Sequence, residues 1–337
     1  MINLNNLDQT FIIAEIGSNH NQNLELAKEM ITSAKDSGAD AVKFQSINVN
    51  ELYYNPSQKI KDLHRKIDLS EDWHHKLKEF CDKQEITFFS APTYLKAVDI
   101  LENINVELYK IASAQLGTFP QLIEKVAQLG KPTLLSTGIV SYRNLEDVVR
   151  TFEKYNHNNF AIFHCNSLYP TPYNKANLHL IEVYRSMFNK TIGYSDHTEG
   201  IYASLSAVSL GAKIIEKHFT TDKNLPVPDT SISILPHEFR DMVKGIRAVE
   251  QALIHKSRIN LEKDEKQFKN SILYRLVLKK DKKQNEAFIE EDFEFKRDTN
   301  GINCKQMYFI IKHMKSADIL QKGELLTWNM LKGKISK

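Results

Sequence analysis

Two histidines, His197 and His218, hold equivalent places in one unit running from Thr191 to Asp229, TIGYSDHTEGIYASLSAVSLGAKIIEKHFTTDKNLPVPD. Thr191–Tyr194 and Lys213–Glu216 are short β-type runs, each ending next to one of these histidines. Ile201–Leu210 between them reads as a small Ala/Ser-rich helix. Strands joined by a single crossover helix are parallel, so both imidazoles fall on one face, at the carboxyl ends of adjacent strands. Imidazole nitrogens placed there can bind one divalent metal. The competing reading is two ordinary polar residues, each satisfied near a loop. Their matched placement weakens it.

Ionisable or polar residues follow every other strand as well. In chain order they are Glu15, Asn19 and His20; Lys43 and Gln45; Ser90 and Thr93; Lys110 and Ser113; Ser136 and Thr137; His164, Ser167 and Tyr169; Ser195 and Asp196; and Glu216. One such residue would be background, but eight sets point to a shared site. A lysine at a strand end is costly to bury unless an anion partners it. Lys43 and Lys110, with the hydroxyls of Ser90, Ser113 and Ser136, would suit a ligand carrying a phosphate and a carboxylate. Two other readings of the lysines stay open: ammonium groups that snorkel to solvent, or a Schiff-base lysine of an aldolase. The paired histidines favour a metal-assisted reaction.

The elements needed to position these residues are legible in the hydrophobic pattern. Strands are expected at Phe11–Ile16, Ala41–Phe44, Ile86–Ser90, Leu108–Ile111, Thr133–Ser136 and Phe160–His164, followed by the two runs above. Between them lie helical periodicities. Leu24–Ser37 places Leu24, Ala27, Ile31 and Ala34 on one face, and a helix capped by Ser70 buries Trp73, Leu77 and Phe80. Tyr94–Leu101, Phe119–Leu129 (closed by Gly130), Leu145–Tyr155, Leu178–Met187 and the long Pro236–Ile254 complete the series. Asn48–Asp68 reads as a looser, polar stretch. Eight strand–helix alternations predict a (β/α)8 TIM barrel over residues 1–256, with its active site in the carboxyl-end loops. A doubly wound sheet is the alternative. It usually has fewer units, and no GxGxxG follows any strand. Residues 257–270, charged and poor in large apolar side chains, read as a linker or linker helix. Residues 271–337 read as a small, mostly β domain, with β-type runs at Ile272–Leu278 and Phe293–Phe295.

Composition sets outer limits. The chain has 337 residues, 42% hydrophobic and 26% charged, enough for one large core and a smaller one. A net charge of +3, with basic and acidic residues interspersed, demands neither nucleic acid nor a membrane surface. Cys81, Cys165 and Cys304 are far apart and odd in number, which fits a reducing cytoplasm rather than a disulfide framework. The N-terminal MINLNNLDQT lacks a signal peptide's apolar core, and no apolar run approaches the ~20 residues of a bilayer span.

Eight motifs in order, AEIGSNHNQ (14–22), GADAVKFQ (38–45), FFSAPT (88–93), YKIAS (109–113), LLSTG (134–138), HCNSLYPTP (164–172), GYSDHT (193–198) and EKHF (216–219), resemble the sialic acid synthase family. These enzymes condense phosphoenolpyruvate with an acyclic N-acetylated hexosamine to make N-acetylneuraminate, legionaminate or pseudaminate. The C-terminal IEEDFEFKRDTNGI (289–302) and GELLTWNML (323–331) resemble the family's SAF (antifreeze-like) domain. The resemblance implies a manganese-type divalent ion, with Mg2+ or Co2+ as alternatives, on His197 and His218. It implies a phosphoenolpyruvate cradle of Lys43, Lys110, Ser113, Ser136 and Ser195, and the strand-end residues Ser90 and Ser167 are further candidate substrate-binding residues. Glu15 becomes a candidate acid/base, and Gln45, Tyr169 and Asp229 lie on the substrate side. Arg297 matches an SAF-domain arginine that reaches a partner subunit's site, which implies a domain-swapped homodimer. Three runs depart from the family: Ser113-Ala114-Gln115 for SGE, Val227-Pro228-Asp229-Thr230 for GPDH, and Arg297-Asp298-Thr299 for RPG. All three concern the acceptor-sugar side, so the reaction type is better defined than the sugar.

Three rival readings remain. Octulosonate- or heptulosonate-phosphate synthases would want extra arginines at the strand ends, where none occurs. A non-catalytic homologue would be expected to lack metal or phosphate residues. A metal-dependent barrel isomerase or hydrolase would not need two lysines and three serines at an anion position.

Overall fold

A computed structural model describes residues 2–254 and 258–334. Eight strands form one parallel sheet: β1 (Phe11–Glu15), β2 (Ala41–Ser46), β3 (Thr87–Pro92), β4 (Tyr109–Ile111), β5 (Thr133–Ser136), β6 (Phe160–Cys165), β7 (Ile192–Asp196) and β8 (Ile214–His218). The hydrogen-bonded order is β3-β2-β1-β8-β7-β6-β5-β4. β3 also lies against β4, which closes the sheet into a TIM barrel. The doubly wound alternative is thereby excluded.

Successive side chains on a strand point to opposite faces, and this sorts the core into two layers. Ile13, Ala41, Phe89, Leu108, Leu134, Ala161, Phe163 and Ile214 cluster inside the barrel, with Leu4 of the N-terminal segment among them. Their sequence neighbours Ile12, Ala14, Val42, Phe44, Phe88, Tyr109, Leu135, Ile162 and Ile215 pack outward against the helices. Those helices are α1 (Leu24–Asp36), α2 (Val49–Leu52), α3 (Gln58–Ile67), α4 (Glu71–Lys83), α5 (Leu95–Asn103), α6 (Ser113–Leu116), α7 (Pro120–Leu129), α8 (Tyr142–Lys154), α9 (Leu180–Phe188), α10 (Tyr202–Ser209) and α11 (Pro236–Ala252). Gly130 adopts the left-handed conformation expected of it after α7.

Two local expectations are corrected. Residues 48–68 are not loose: they form α2 and α3, whose N-termini are capped by Asn48 and Ser57. Asp68 fastens them, accepting from Val49 N (3.0 Å) and pairing with His64 Nδ1 (2.5 Å). Polar capping rather than an apolar stripe holds this segment, so hydrophobic periodicity was silent there. Ser70 does occupy the N-cap position of α4, but its hydroxyl donates to Asp72 rather than capping the helix. The fully buried face of α4 is His74, Leu77 and Cys81, while Trp73 and Phe80 are only partly covered.

The chain divides into two compact units, the first ending at Ile254. The expected boundary at residues 256 and 257 lies outside the described residues. Lys263–Ser271, which overlaps the later part of the stretch read as a linker or linker helix and extends one residue past it, is a helix, α12, of the second unit. That unit then builds two antiparallel pairs, β9 (Tyr274–Leu278) with β10 (Phe293–Arg297), and β11 (Met314–Ser316) with β12 (Leu331–Gly333), plus helix α13 (Met307–His313). Its own core includes Leu276, Leu278, Phe288, Phe293, Ile310 and Leu326. Among the described residues no helix is long and apolar enough to cross a membrane.

Candidate active site

The inward positions nearest the carboxyl ends of the strands are Glu15, Lys43, Gln45, Lys110, Ser136, Cys165, Ser195, Glu216 and His218. They line a pocket of about 210 Å³ together with Ser113, Gln115, Tyr169 and His197. The same alternation that packs Ile13 and Ile214 inside the barrel carries Glu15 and Glu216 inward two positions later. Lys43 and Lys110 are 4% and 1% exposed, so neither ammonium snorkels to solvent. Glu216 holds both: its Oε2 is 2.9 Å from Lys110 Nζ, and its Oε1 is 3.3 Å from Lys43 Nζ. Ser195 Oγ donates to the same Oε1 at 2.8 Å. Lys43 also meets Glu15 Oε2 at 3.2 Å, while Gln45 Nε2 donates to Glu15 Oε1 at 2.7 Å.

Burial is the largest influence on each group, and the partners decide the outcome. Burial alone would raise Glu216, but Lys110 and Lys43 outweigh it and hold this carboxyl well below its ordinary range. Glu15 shares only Lys43, and burial pushes it up to about 7. Burial would also lower Lys43, yet Glu15 and Glu216 together raise it, whereas Lys110 is lowered by burial. Lys110 has an apolar partner too, its Nζ lying 3.8 Å from the centre of the Phe163 ring.

The two histidines face each other across the pocket with ring centres 5.4 Å apart. Burial lowers both, His218 to about 4, so both are neutral at pH 7, the state a metal ligand requires. His197 Nδ1 is 2.6 Å from the Asn166 carbonyl. With Nδ1 donating there, Nε2 is left as the lone-pair nitrogen. His218 Nδ1 is buried without a hydrogen-bond partner. These features fit a divalent ion. Among the described residues no group of three or more His, Cys, Asp or Glu side chains is placed to hold a metal ion, so two imidazoles would be its protein ligands and substrate or water would complete the shell. Behind His197, Asp196 points outward and pairs with Lys217 at 3.1 Å, and it accepts from Thr198 N, Thr198 Oγ1 and Ser204 Oγ. This buried knot fixes the turn that carries His197.

Several expected residues take other places. Ser90 faces away from the pocket. In register it pairs with Phe44, an outward residue, and its hydroxyl bonds Ser46 Oγ at 2.8 Å beneath α4. It is therefore removed from the anion-binding set. Ser167 bonds Ser113 Oγ at 3.0 Å. Asp229 accepts from Ser18 N (2.9 Å) and Ser18 Oγ (2.8 Å) and lies 4.0 Å from His218 Nδ1. Tyr169, 55% exposed, covers His197 with ring centres 4.3 Å apart. Arg297 ends β10 in the second unit, exposed, with its guanidinium 5.3 Å from the Tyr274 ring centre. It has no ion pair among the described residues. Sequence reasoning noted Glu216 as polar but gave it no role. The available signal was its spacing of two from His218, which sends both side chains inward.

Gly17 closes the β1 turn at φ +52°, and a Cβ there would meet Asp229 Oδ2 at 2.5 Å and Glu15 Oε1 at 3.1 Å. Gly17→Ala should thus disturb both carboxylates and cost about 1–3 kcal/mol in backbone strain. Denaturant unfolding should show the loss, with activity falling further than stability alone explains. Unchanged unfolding and activity would contradict this geometry.

An ionisable pocket at the carboxyl ends of a TIM barrel is the architecture of a barrel enzyme. Residues 30–258 match the NeuB family model. The chain is 36% identical to N,N'-diacetyllegionaminic acid synthase of Campylobacter jejuni, over 88% of this chain and 93% of that protein. It is 32% identical to pseudaminic acid synthase of the same organism, over 96% and 98%. The crystal structure of an N-acetylneuraminic acid synthetase from Leptospira borgpetersenii superposes with a TM-score of 0.72 at 35% identity, covering 78% of this chain and 92% of that one. The chain belongs to the NeuB family.

Proposed function

We propose that this protein is a nonulosonic acid synthase. It condenses phosphoenolpyruvate with an acyclic N-acylated amino sugar, of the N-acetylmannosamine type, to give a nine-carbon 2-keto acid and phosphate. The observation that carries this reading is the convergence of two buried lysines and the Ser113, Ser136 and Ser195 hydroxyls on the pocket that also holds the histidine pair. A phosphate and a carboxylate need that density of donors, and a simple hydrolase or isomerase does not. The NeuB relatives support the same class.

Lys110, Ser113 and Ser136 hold the phosphate end, while Lys43 and Ser195 hold the carboxylate. C3 of phosphoenolpyruvate is thereby aimed at the sugar's C1 aldehyde, the kind of positioning that contributes most when reacting atoms sit in near-attack geometry. A divalent ion on His197 and His218, manganese by family resemblance, would supply Lewis-acid polarisation of the aldehyde oxygen. As the new carbon–carbon bond forms, that oxygen takes up a proton. Glu15, poised near neutrality, is placed to manage protons here and at the water that adds to C2. The tetrahedral centre then expels phosphate with its bridging oxygen, leaving the C2 ketone. Gln45, Tyr169 and Asp229 face the acceptor.

The direct test is phosphate release from phosphoenolpyruvate with a panel of acceptors and a divalent ion. Release should require both an N-acylated amino sugar and the ion. Release without any acceptor, or none with all of them, would sink the reading.

Arg297 is proposed to act on the acceptor's N-acyl oxygen in a partner subunit of a homodimer, because a guanidinium offers a planar fork of donors and this one is exposed and has no ion pair among the described residues. Mixed dimers of Arg297→Ala and His197→Ala chains should then regain activity, since one site carries both defects and the other neither. Absence of recovery in verified mixed dimers would place Arg297 in its own chain's site or outside catalysis.

A further inference from the structure

One buried carboxylate occupies the very donors assigned to the substrate. Glu216, 3% exposed, bonds Lys110 through Oε2 and both Lys43 and Ser195 through Oε1. The lysines come from β2 and β4, which are not neighbours in the sheet, and Glu216 on β8 is the group common to both. We propose that Glu216 is a positioning and selectivity residue. It is a built-in counter-anion that spans Lys43 and Lys110 and biases the pocket toward a ligand with two separated anionic groups over a single anion such as inorganic phosphate.

The argument is one of competition. Two ammonium ions buried in one pocket would repel, and they would capture any small anion to offset the cost of burial. With Glu216 between them, a lone phosphate enters a pocket whose charges are already compensated. It gains contacts to one lysine's remaining hydrogens while the other stays on the carboxylate. A ligand bearing phosphate at one end and carboxylate at the other engages the remaining hydrogens of both lysines at once. Before a ligand binds, Ser195, donating to the oxygen that meets Lys43, keeps the Glu216 carboxylate from swinging wholly to either side, and its one hydroxyl hydrogen turns to the ligand's carboxylate on binding. The same arrangement would let the phosphate released in the reaction depart. Glu216 touches the lysines and not the reacting atoms, so its role is positional.

This inference rests on the synthase reading, and its test is chosen to separate the two. Binding of inorganic phosphate alone is measured by calorimetry on the full-length protein, with no sugar and no turnover required. Glu216→Gln should bind phosphate roughly ten- to a hundredfold more tightly than wild type, one charge-assisted contact's worth. Its thermal midpoint should rise with added phosphate where that of wild type barely moves. In steady state, phosphate should become a correspondingly stronger inhibitor against phosphoenolpyruvate, while the KM for the acceptor stays within about threefold. Equal phosphate affinity in the two proteins, or a parallel loss for phosphoenolpyruvate and acceptor, would overturn the proposal. Should Glu216→Gln not fold, Glu216→Asp keeps the charge but shortens the reach. It should bind phosphate several-fold more tightly, and unchanged affinity there would equally overturn it. A wild-type protein that turns over no phosphoenolpyruvate would defeat the synthase reading and leave the phosphate comparison to be read on its own.

Discussion

His197→Ala and His218→Ala should each lower turnover by more than the roughly 10–100-fold typical of changes behind a metal's ligands, with the barrel intact. Both rings end adjacent parallel strands, face each other at 5.4 Å, and are kept neutral by burial. Neither contributes to the inner apolar cluster. Removing His197 orphans the Asn166 carbonyl, a cost of about 1–3 kcal/mol, which a domain with this much buried apolar surface tolerates. The check is direct: equilibrium dialysis with Mn2+ should show retention by wild type and loss in both variants, while circular dichroism stays unchanged. Full activity in chelator-treated wild type would rule out the metal assignment.

The second large effect is expected at Lys110. Its ammonium is 1% exposed, bonded to Glu216 and held over the Phe163 ring. Lys110→Met keeps much of the side-chain volume and removes the charge. Glu216 keeps Lys43 and Ser195 as partners, so the variant should fold. A charge-assisted hydrogen bond is worth about 1.5–3 kcal/mol, so the KM for phosphoenolpyruvate should rise roughly ten- to over a hundredfold and that of the acceptor far less. Lys43→Met should behave alike, with a further disturbance of Glu15, which loses its ion pair with Lys43. Equal losses for both substrates would mean that the lysines shape the pocket rather than hold the anion. Borohydride trapping of a pyruvyl-lysine adduct would revive the Schiff-base alternative.

The barrel was legible because its strands are short apolar runs at even spacing, each followed by polar residues whose loops share one end of the sheet. Strand ends were read to within a few residues, and β5 at both ends. What one chain cannot show on its surface is parity. Along Phe88-Phe89-Ser90-Ala91 either phenylalanine could face inward, and only the pairing of Lys43 with Phe89 settles that Ser90 points out. The same rule would have promoted Glu216, two residues before His218. A carboxylate in an anion site looks misplaced until both lysines are seen to share it. The capped helices α2 and α3 were missed for another reason: their order comes from Asn48, Ser57 and Asp68 hydrogen bonds, with His64 their one buried residue.

The measurement that bears most directly on the proposed reaction uses phosphoenolpyruvate carrying a heavy oxygen isotope at the bridge between C2 and phosphorus. Incubated with an N-acylated amino sugar and a divalent ion, the protein should release phosphate that keeps the label, matched mole for mole by a nine-carbon 2-keto acid in the mass spectrum. Unlabelled phosphate would mean cleavage at phosphorus, and phosphate release that ignores the sugar would mean hydrolysis. Either result would contradict a synthase that joins the two substrates in this pocket.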